Sequence, residues 1–396
     1  MQKFSPTEYL KIDIANSFGL DKQSWNERLN WFEANESDLD SLISQAEEEA
    51  LFYAGVQAYR ATLRNEPIGY PISLDATASG TQILALLSGC RDTAKLCNVV
   101  DTGSREDAYT ILFNEMDIPG VSRKDAKQAI MTSFYGSLAT PRNLLPAKED
   151  LHRFYEVLST KAKGAYNLNE MLQSLQDPNA ESYNWTMPDG FEVKIKVKNS
   201  VKEDFTFFGD THTATYKVVG PTDYDRSTSP NLIHSIDGMI VRELNRRCNY
   251  DMEMVQKVIK LLFSQNQEID TYTDSNNLDM VAKLWNLYVD TGYLSARILD
   301  HLDEETVTLV DPMTIFKLIE SLPEKPFDIL AIHDCFRVLP SYGNDLREQY
   351  NLQLYLLGKS NLLNTICSEI TGEDFHIRTI SSFSKDEILN TNYALS

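Results

Sequence analysis

The residues of this sequence best suited to chemistry are two aspartates. Asp75 closes the apolar run Tyr70 to Leu74, and Asp334 falls between the apolar runs Phe327 to Ile332 and Cys335 to Leu339. Each carboxylate is therefore expected at the edge of a short strand, where burial is costly unless a cation or donor meets it. Strand-end carboxylates are natural magnesium ligands. Two-metal phosphoryl transfer needs such acids from separate strands to hold two cations roughly 4 Å apart. The competing expectation is structural, because strand-end aspartates more often cap or turn the chain.

A second group is cationic. Arg123, Lys127, Met131 and Tyr135 are spaced by four behind Ser122, a capping residue, which predicts one helix carrying them as a slowly rotating stripe about 18 Å long. That length suits a nucleoside triphosphate lying along the helix. Arg123 and Lys127 near the amino-terminal end would add their charges to the helix dipole and favour polyphosphate, while the aromatic at the far end could meet sugar or base. The alternative is a solvated basic face with Met131 and Tyr135 in the core. His234 and Asp237 stand three apart on a helix predicted from Asn231 to Arg246 and opened by Pro230; they fit a metal pair, a hydrogen-bonded structural pair or a ligand sensor. His333 beside Asp334 matches the His-Asp pair of metal phosphohydrolases, but that site takes further ligands from helices and the flanks here read as strands.

The elements that must position these groups are mostly helical. Trp25, Leu29 and Phe32 repeat at three and four, a second run extends from Leu39 to Arg64, and Pro67, Gly69 and Pro71 stop it. A helix from Ser79 to Leu87 follows Asp75 directly. Another is predicted from Arg105 to Met116, Pro119-Gly120 breaks it, and the helix capped by Ser122 runs to Gly136. Residues 184 to 220 change character: Asp189-Gly190 reads as a turn and the alternation of Phe191, Val193, Ile195 and Val197 as a strand, hence a β-hairpin. Residues 249 to about 326 mix helical patterns with acidic loops such as Asp270-Thr-Tyr-Thr-Asp274 and read as an insertion. The fold class expected is α+β, mainly helical.

At roughly 150 residues per domain, 396 residues with 42% apolar content predict two or three domains with a real core. Lys and Arg number 37 against 58 Asp and Glu, a balance of -21, so no global positive field draws in nucleic acid or an anionic membrane. Any polyanion must be met by local basic residues or by a partner. The five cysteines, Cys90, Cys97, Cys248, Cys335 and Cys367, form no CxxC pair, which fits neither a disulfide framework nor a zinc ribbon and points to a reducing cytoplasm. No stretch reaches the roughly 18 apolar residues that span a bilayer, and Met1 to Leu10 lacks the layout of a signal peptide.

Four segments in order resemble the single-subunit RNA polymerases of phages and mitochondria. They are Ser73-Leu-Asp-Ala-Thr-Ala-Ser-Gly-Thr-Gln82, Arg123-Lys-Asp-Ala-Lys-Gln-Ala-Ile-Met-Thr-Ser-Phe-Tyr-Gly136, Pro230-Asn-Leu-Ile-His-Ser-Ile-Asp-Gly238 and Ala331-Ile-His-Asp-Cys-Phe336. The first is similar to that family's palm motif A, the second to its fingers helix, and the last to its palm His-Asp motif. Gly19-Leu-Asp-Lys22 with Arg28 and Trp31, Tyr53-Ala-Gly-Val-Gln57 and the tail Ile388 to Ser396 resemble it as well. The resemblance implies a right-hand palm and fingers: palm in 1–92, fingers in 93–233, and palm again in 234–396 with an insertion at about 249–326. It implies that Asp75 and Asp334, with the main-chain carbonyl of Ala76, hold two Mg2+ ions. Lys22, Arg123 and Lys127 would face the triphosphate, and Lys127 would protonate departing pyrophosphate. Tyr135 and Gly136 would close the nucleotide site, with Tyr135 and His234 sensing the ribose 2′-hydroxyl. Cys335, where related DNA polymerases carry a carboxylate, favours RNA synthesis.

The pattern also departs from that family. Its members are more than twice this length, no Gly-Arg dipeptide occurs here, and only 74 residues precede Asp75. The thumb and the amino-terminal region are therefore expected to be missing from this chain. The expectation is the catalytic subunit of a split, two-subunit phage-type enzyme, with DNA template, nascent RNA, NTPs and a second subunit as partners, and a recruiting factor besides. The acidic balance agrees, since a template-RNA hybrid needs basic contacts that a partner would bring. The reading from a different class is a catalytically inactive module that binds nucleic acid or protein.

Overall fold

The computed structural model describes residues 1–222, 226–263, 275–380 and 382–396. In chain order it runs through α1 (Pro6–Ala15), α2 (Trp25–Asn35), α3 (Leu39–Leu42), α4 (Glu49–Leu63), β1 (Ile72–Asp75), α5 (Ser79–Ser88), α6 (Arg91–Leu96), α7 (Ala108–Met116), α8 (Arg123–Phe134), α9 (Ala139–Leu144), α10 (Lys148–Lys161) and α11 (Lys163–Ser174). Two hairpins follow, β2 (Ser182–Thr186) with β3 (Glu192–Lys196) and β4 (Lys198–Phe207) with β5 (Asp210–Val219). The rest comprises α12 (Thr228–Cys248), α13 (Met252–Phe263), α14 (Ser275–Thr291), α15 (Pro312–Glu320), β6 (Leu330–Ile332), β7 (Cys335–Val338), α16 (Gly343–Lys359) and α17 (Leu362–Thr371). The architecture is α+β and mostly helical, as expected. No helix among the described residues is long and apolar enough to cross a membrane.

A small antiparallel sheet of order β1-β7-β6 sits at the centre. Its register pairs Ile72 with Val338, Leu74 with Phe336 and Asp75 with Cys335. Because strand side chains alternate, Ile72, Leu74, Phe336 and Val338 enter the core while Ser73, Asp75, Cys335 and Arg337 share the opposite face. The bend between β6 and β7 is His333-Asp334, and His333 takes a positive φ of 58°, a conformation that histidine tolerates better than bulkier residues. The tail closes the other side of β1: Ser396 donates its N–H to the Asp75 carbonyl at 2.9 Å, and Asp75 donates to the Ser396 carbonyl at 3.2 Å.

Behind the sheet, α5 packs against α11, α12 and α16. Gln82, fully buried, donates to the carbonyls of Ala394 at 2.9 Å and Cys97 at 3.1 Å, and accepts from the Tyr350 hydroxyl at 2.7 Å. An unpaired amide at that depth would be costly, so this network pins helix, loop and tail together.

Several predicted elements have different bounds, for local reasons. The run from Leu39 to Arg64 breaks after Gln45, because the Glu47 and Glu48 N–H groups donate to the carbonyls of Phe18 and Ser17 at 3.5 and 3.0 Å instead of to a helical turn. The helix expected from Arg105 starts at Ala108: the Asp107 carboxylate caps the N–H groups of Tyr109 and Thr110, which leaves Arg105 in a loop. The helix expected from Asn231 already starts at Thr228, with Pro230 in its first turn. One hairpin over 184 to 220 becomes two, the second turning at Phe208-Gly209 with φ of 53° and 88°. Of the insertion, residues 264–274, with the acidic loop Asp270 to Asp274, lie outside the described residues; the described part builds a second core around Val258, Val281, Leu284, Ile298 and Ile315.

Candidate active site

Antiparallel pairing of β1 with β7 sets Asp75 opposite Cys335, next to Asp334. The Asp334 carbonyl accepts from the Ala76 N–H at 3.1 Å, which locks the two motif ends together. No hydrogen bond from the described residues engages either carboxylate. Although Asp75 faces an open cleft, the surrounding walls push its carboxyl up to about 7, and the charges of Asp334 and Asp21 push the same way against Arg105 and Lys127. A carboxylate left so short of positive charge matches hard divalent cations by its donor type. Among the described residues no cluster of three or more His, Cys, Asp or Glu side chains is assembled for a metal; the oxygen donors on hand are this pair and neighbouring main-chain carbonyls such as that of Ala76.

The cleft has a volume of about 470 Å³ and brings Asp75, Ala76, Lys22, Arg123 and Lys127 together. Each cation reaches it by a distinct device. Lys22 rides on a loop kinked at Gly19, whose φ is 115°. The fully buried Arg28 holds that loop by donating to the Gln23 carbonyl at 3.0 Å, the Asp21 carbonyl at 2.7 Å and Asn16 Oδ1 at 3.0 Å. Arg28 is thus structural, a guanidinium whose charge burial draws down to about 9. On α8, Ser122 caps the Asp125 N–H at 3.1 Å, and Arg123 follows at the first helical position. Arg123 donates to Thr110 Oγ1 at 2.6 Å and pairs with Asp107, so part of its guanidinium is already committed. One turn on, the exposed Lys127 lies with Nζ 5.3 Å from the centre of the Tyr109 ring.

Tyr135, His234, Gly136 and Asp334 do not line that cleft. Tyr135 ends α8 and stacks on His234 of α12, ring centroids 4.9 Å apart and tilted 30°. Together with Tyr109, which borders both spaces, Tyr135 lines a smaller adjoining hollow over Gly80. Burial pushes the Tyr135 hydroxyl well up, so it stays a donor, and burial lowers His234, keeping it neutral near pH 7. Glycine at 80 is required by this packing, since a Cβ there would stand 2.5 Å from Tyr135 Oη. Gly136, at φ 81°, turns the chain against Gln173 and the Arg226 carbonyl, away from the cleft. Asp237, one turn beyond His234, is pushed up to about 6 by burial and then by Asp334. Several cleft residues carried no sequence signal. Arg105 and Asp107 stand in the sequence only as part of a predicted helix and Arg337 as part of a strand, Asp21 only inside the Gly19-Leu-Asp-Lys22 resemblance, and Asp13 is not singled out at all.

Residues 5–143, which hold the Lys22 loop, β1 and α8, match the family of the DNA-dependent RNA polymerases. Among curated proteins, the chain is 24% identical over 94% of its length to one named "Probable DNA-directed RNA polymerase" from Gelasinospora sp. (strain G114), of which it covers 45%. Proteins of the same name from Podospora anserina and Neurospora crassa are 34% and 39% identical over 26% and 29% of this chain, which covers 13% of each. The chain therefore spans less than half the length of the curated relatives that it matches.

Proposed function

We propose that this chain carries the palm and fingers of a DNA-directed RNA polymerase and catalyses nucleotidyl transfer from NTPs to an RNA 3′ end on a DNA template. The observation that carries the reading is Asp75 in a cleft lined by Lys22, Arg123 and Lys127, with its strand paired to the one that follows the Asp334 turn at the cleft's edge. Fixed cations facing fixed carboxylates across a solvent-filled space suit a polyphosphate and its counter-ions. Magnesium, held by Asp75 and Asp334 beside the Ala76 carbonyl, would supply Lewis-acid activation of the attacking hydroxyl and neutralise charge on the phosphates. Lys22, Arg123 and Lys127 orient the triphosphate for in-line attack, and Lys127 gives its proton to the departing pyrophosphate. The protonated Tyr135 hydroxyl and the neutral His234 ring read the ribose 2′-hydroxyl.

The thumb and amino-terminal regions of a complete enzyme fall to a second polypeptide in this reading, with a further factor recruiting the template. The arrangement resembles the split phage-type enzymes, although the relatives matched here are fungal. The test is extension of an RNA primer on a DNA scaffold by the purified chain, with and without the polypeptide that co-purifies from its source. Magnesium-dependent addition of templated ribonucleotides is expected; release of free phosphate without chain growth would refute the reading.

A further inference from the structure

Beside Lys22, Arg123 and Lys127 the cleft is lined by two further cations, Arg105 and Arg337, and neither motif nor spacing singles out Arg105. Arg105 lies in the loop before α7 and lines the same cavity as Asp75, Lys22 and Lys127. Its place is fixed by its neighbour. The Asn98 side chain donates to the Glu106 carbonyl at 2.9 Å and accepts from the Glu106 N–H at 2.8 Å, and the Asn98 carbonyl is itself held by the Thr391 hydroxyl at 2.6 Å. A side chain carried on a loop braced in this way has little backbone ordering left to lose when a ligand arrives.

The guanidinium is underused. Among the described residues its one hydrogen bond is a long 3.4 Å contact from Nε to Ser396 Oγ, and no carboxylate stands within ion-pair distance. Asp21, Asp107 and Asp75 act on it only at longer range, while burial weakens its hold on the proton. Arginine offers five donors in a planar fork, and leaving them partly out of water without acceptors is costly. Arg123 makes the contrast, since Asp107 and Thr110 already occupy part of its fork.

We propose that Arg105 is a further catalytic residue, donating to the phosphate oxygens of the incoming nucleotide beside Asp75 and neutralising the charge that develops there. The assignment rests on the polymerase reading for the identity of the nucleotide, but the phosphate contact itself does not. Its first test is calorimetric titration of inorganic tripolyphosphate, in magnesium buffer, into the full chain and into Arg105→Gln and Arg105→Lys. Arg105→Gln is expected to bind roughly tenfold more weakly, with Arg105→Lys intermediate and both melting close to the wild type. In primer extension, Arg105→Gln should lower kcat/KM for the NTP by roughly a hundredfold or more while scaffold affinity holds.

Equal tripolyphosphate affinity in wild type and Arg105→Gln overturns the assignment and leaves the polymerase reading standing. A loss that tracks a fall in melting temperature and in scaffold binding, with no recovery in Arg105→Lys, identifies Arg105 as a brace for the tail and overturns it as well. Arg105-dependent tripolyphosphate binding in a chain that never extends RNA upholds the contact and removes the polymerase. A wild-type chain that binds no tripolyphosphate overturns the contact, and the polymerase reading is then decided by primer extension alone.

Discussion

Single residues set the chemistry through the charge balance around them. Asp75 is held up near 7 by burial and by Asp334, so removing either negative charge relieves repulsion rather than breaking a bond. Asp75→Asn and Asp334→Asn should lower primer extension by roughly a thousandfold or more while melting in magnesium-free buffer no earlier than the wild type. Measurable extension by both variants would dismiss the metal assignment. Tyr135→Phe keeps the ring against His234 and Gly80 but deletes the donor, so discrimination of NTP over dNTP should fall while extension with NTPs persists; competition between the two substrates reads this directly. Asp13 gives a share of the pH dependence away from the metal aspartates, beside the shares of Asp75 and Asp237. It is buried, accepts from Tyr70 Oη at 2.6 Å and the Ser73 N–H at 2.8 Å, and burial raises its carboxyl to about 6. Between about pH 4 and 6 the native state keeps a proton that the unfolded chain has released, so this residue's contribution falls as pH rises through that window and is level above it. Asp13→Asn, in which Tyr70 can donate to the Leu51 carbonyl instead, should lose that slope and gain on the order of 2 kcal/mol at pH 7 relative to the wild type, as denaturant titrations across the window would show.

Elements turn these residues into a site by close approach, and their spacing decides how much of the site could be read in advance. Gly80 lets α5 come within contact of Tyr135 at the end of α8. Gly80→Ala should displace the ring from His234, reducing NTP incorporation at least tenfold, while the overpacking cost, partly offset by the better helix propensity of alanine in α5, leaves the fold only about 1 kcal/mol less stable, a split that kinetics and melting would separate. The strand ends at Asp75 and Asp334 were legible because an apolar run stops at an acid, and α8 because Ser122 announces its cap. The roles of Arg105 and Asp13 were not, since their partners are remote: Asn98 and Glu106 act on Arg105 through a loop whose fold has no periodicity, and Asp13 bonds residues 57 and 60 positions away. The second hairpin escaped for another reason. β4 and β5 expose both faces, with Phe205, Phe207 and Phe208 in solvent, so no buried face imposes alternation on the sequence.

Across the whole molecule the insertion is a second core that must be tied to the first. One tie, beside the bonds of Arg247 to Ser321 and of Tyr293 to Gln353, is a carboxylate pair inside an arginine cluster. Asp189, at the β2–β3 turn and fully buried, accepts from Arg242 at 2.6 Å and Arg246 at 3.0 Å, and its carbonyl accepts from Arg297 of the insertion at 2.9 Å. Glu243, also fully buried, bonds Arg246, Ser295 and the Ala296 N–H. Burial alone would raise the Asp189 carboxyl, but Arg242 and Arg246 outweigh it and hold it below its ordinary value, so the tie is complete at neutral pH and fails only as pH falls through the carboxylate range. Residues 249–326 carry 14 acidic against 6 basic side chains, which leaves few other cations on the insertion to take over the role of Arg297. Asp189→Asn removes the buried charge shared by the partly exposed Arg242 and Arg246, of which Arg246 keeps Glu243, and should cost about 1–3 kcal/mol at the joint. Because each core keeps its own apolar packing, the loss should fall on their coupling: calorimetry is expected to show one melt for the wild type and two transitions for the variant, the earlier one removed with the insertion, whereas one cooperative transition merely shifted down would mean that the two cores fold as one unit without this tie.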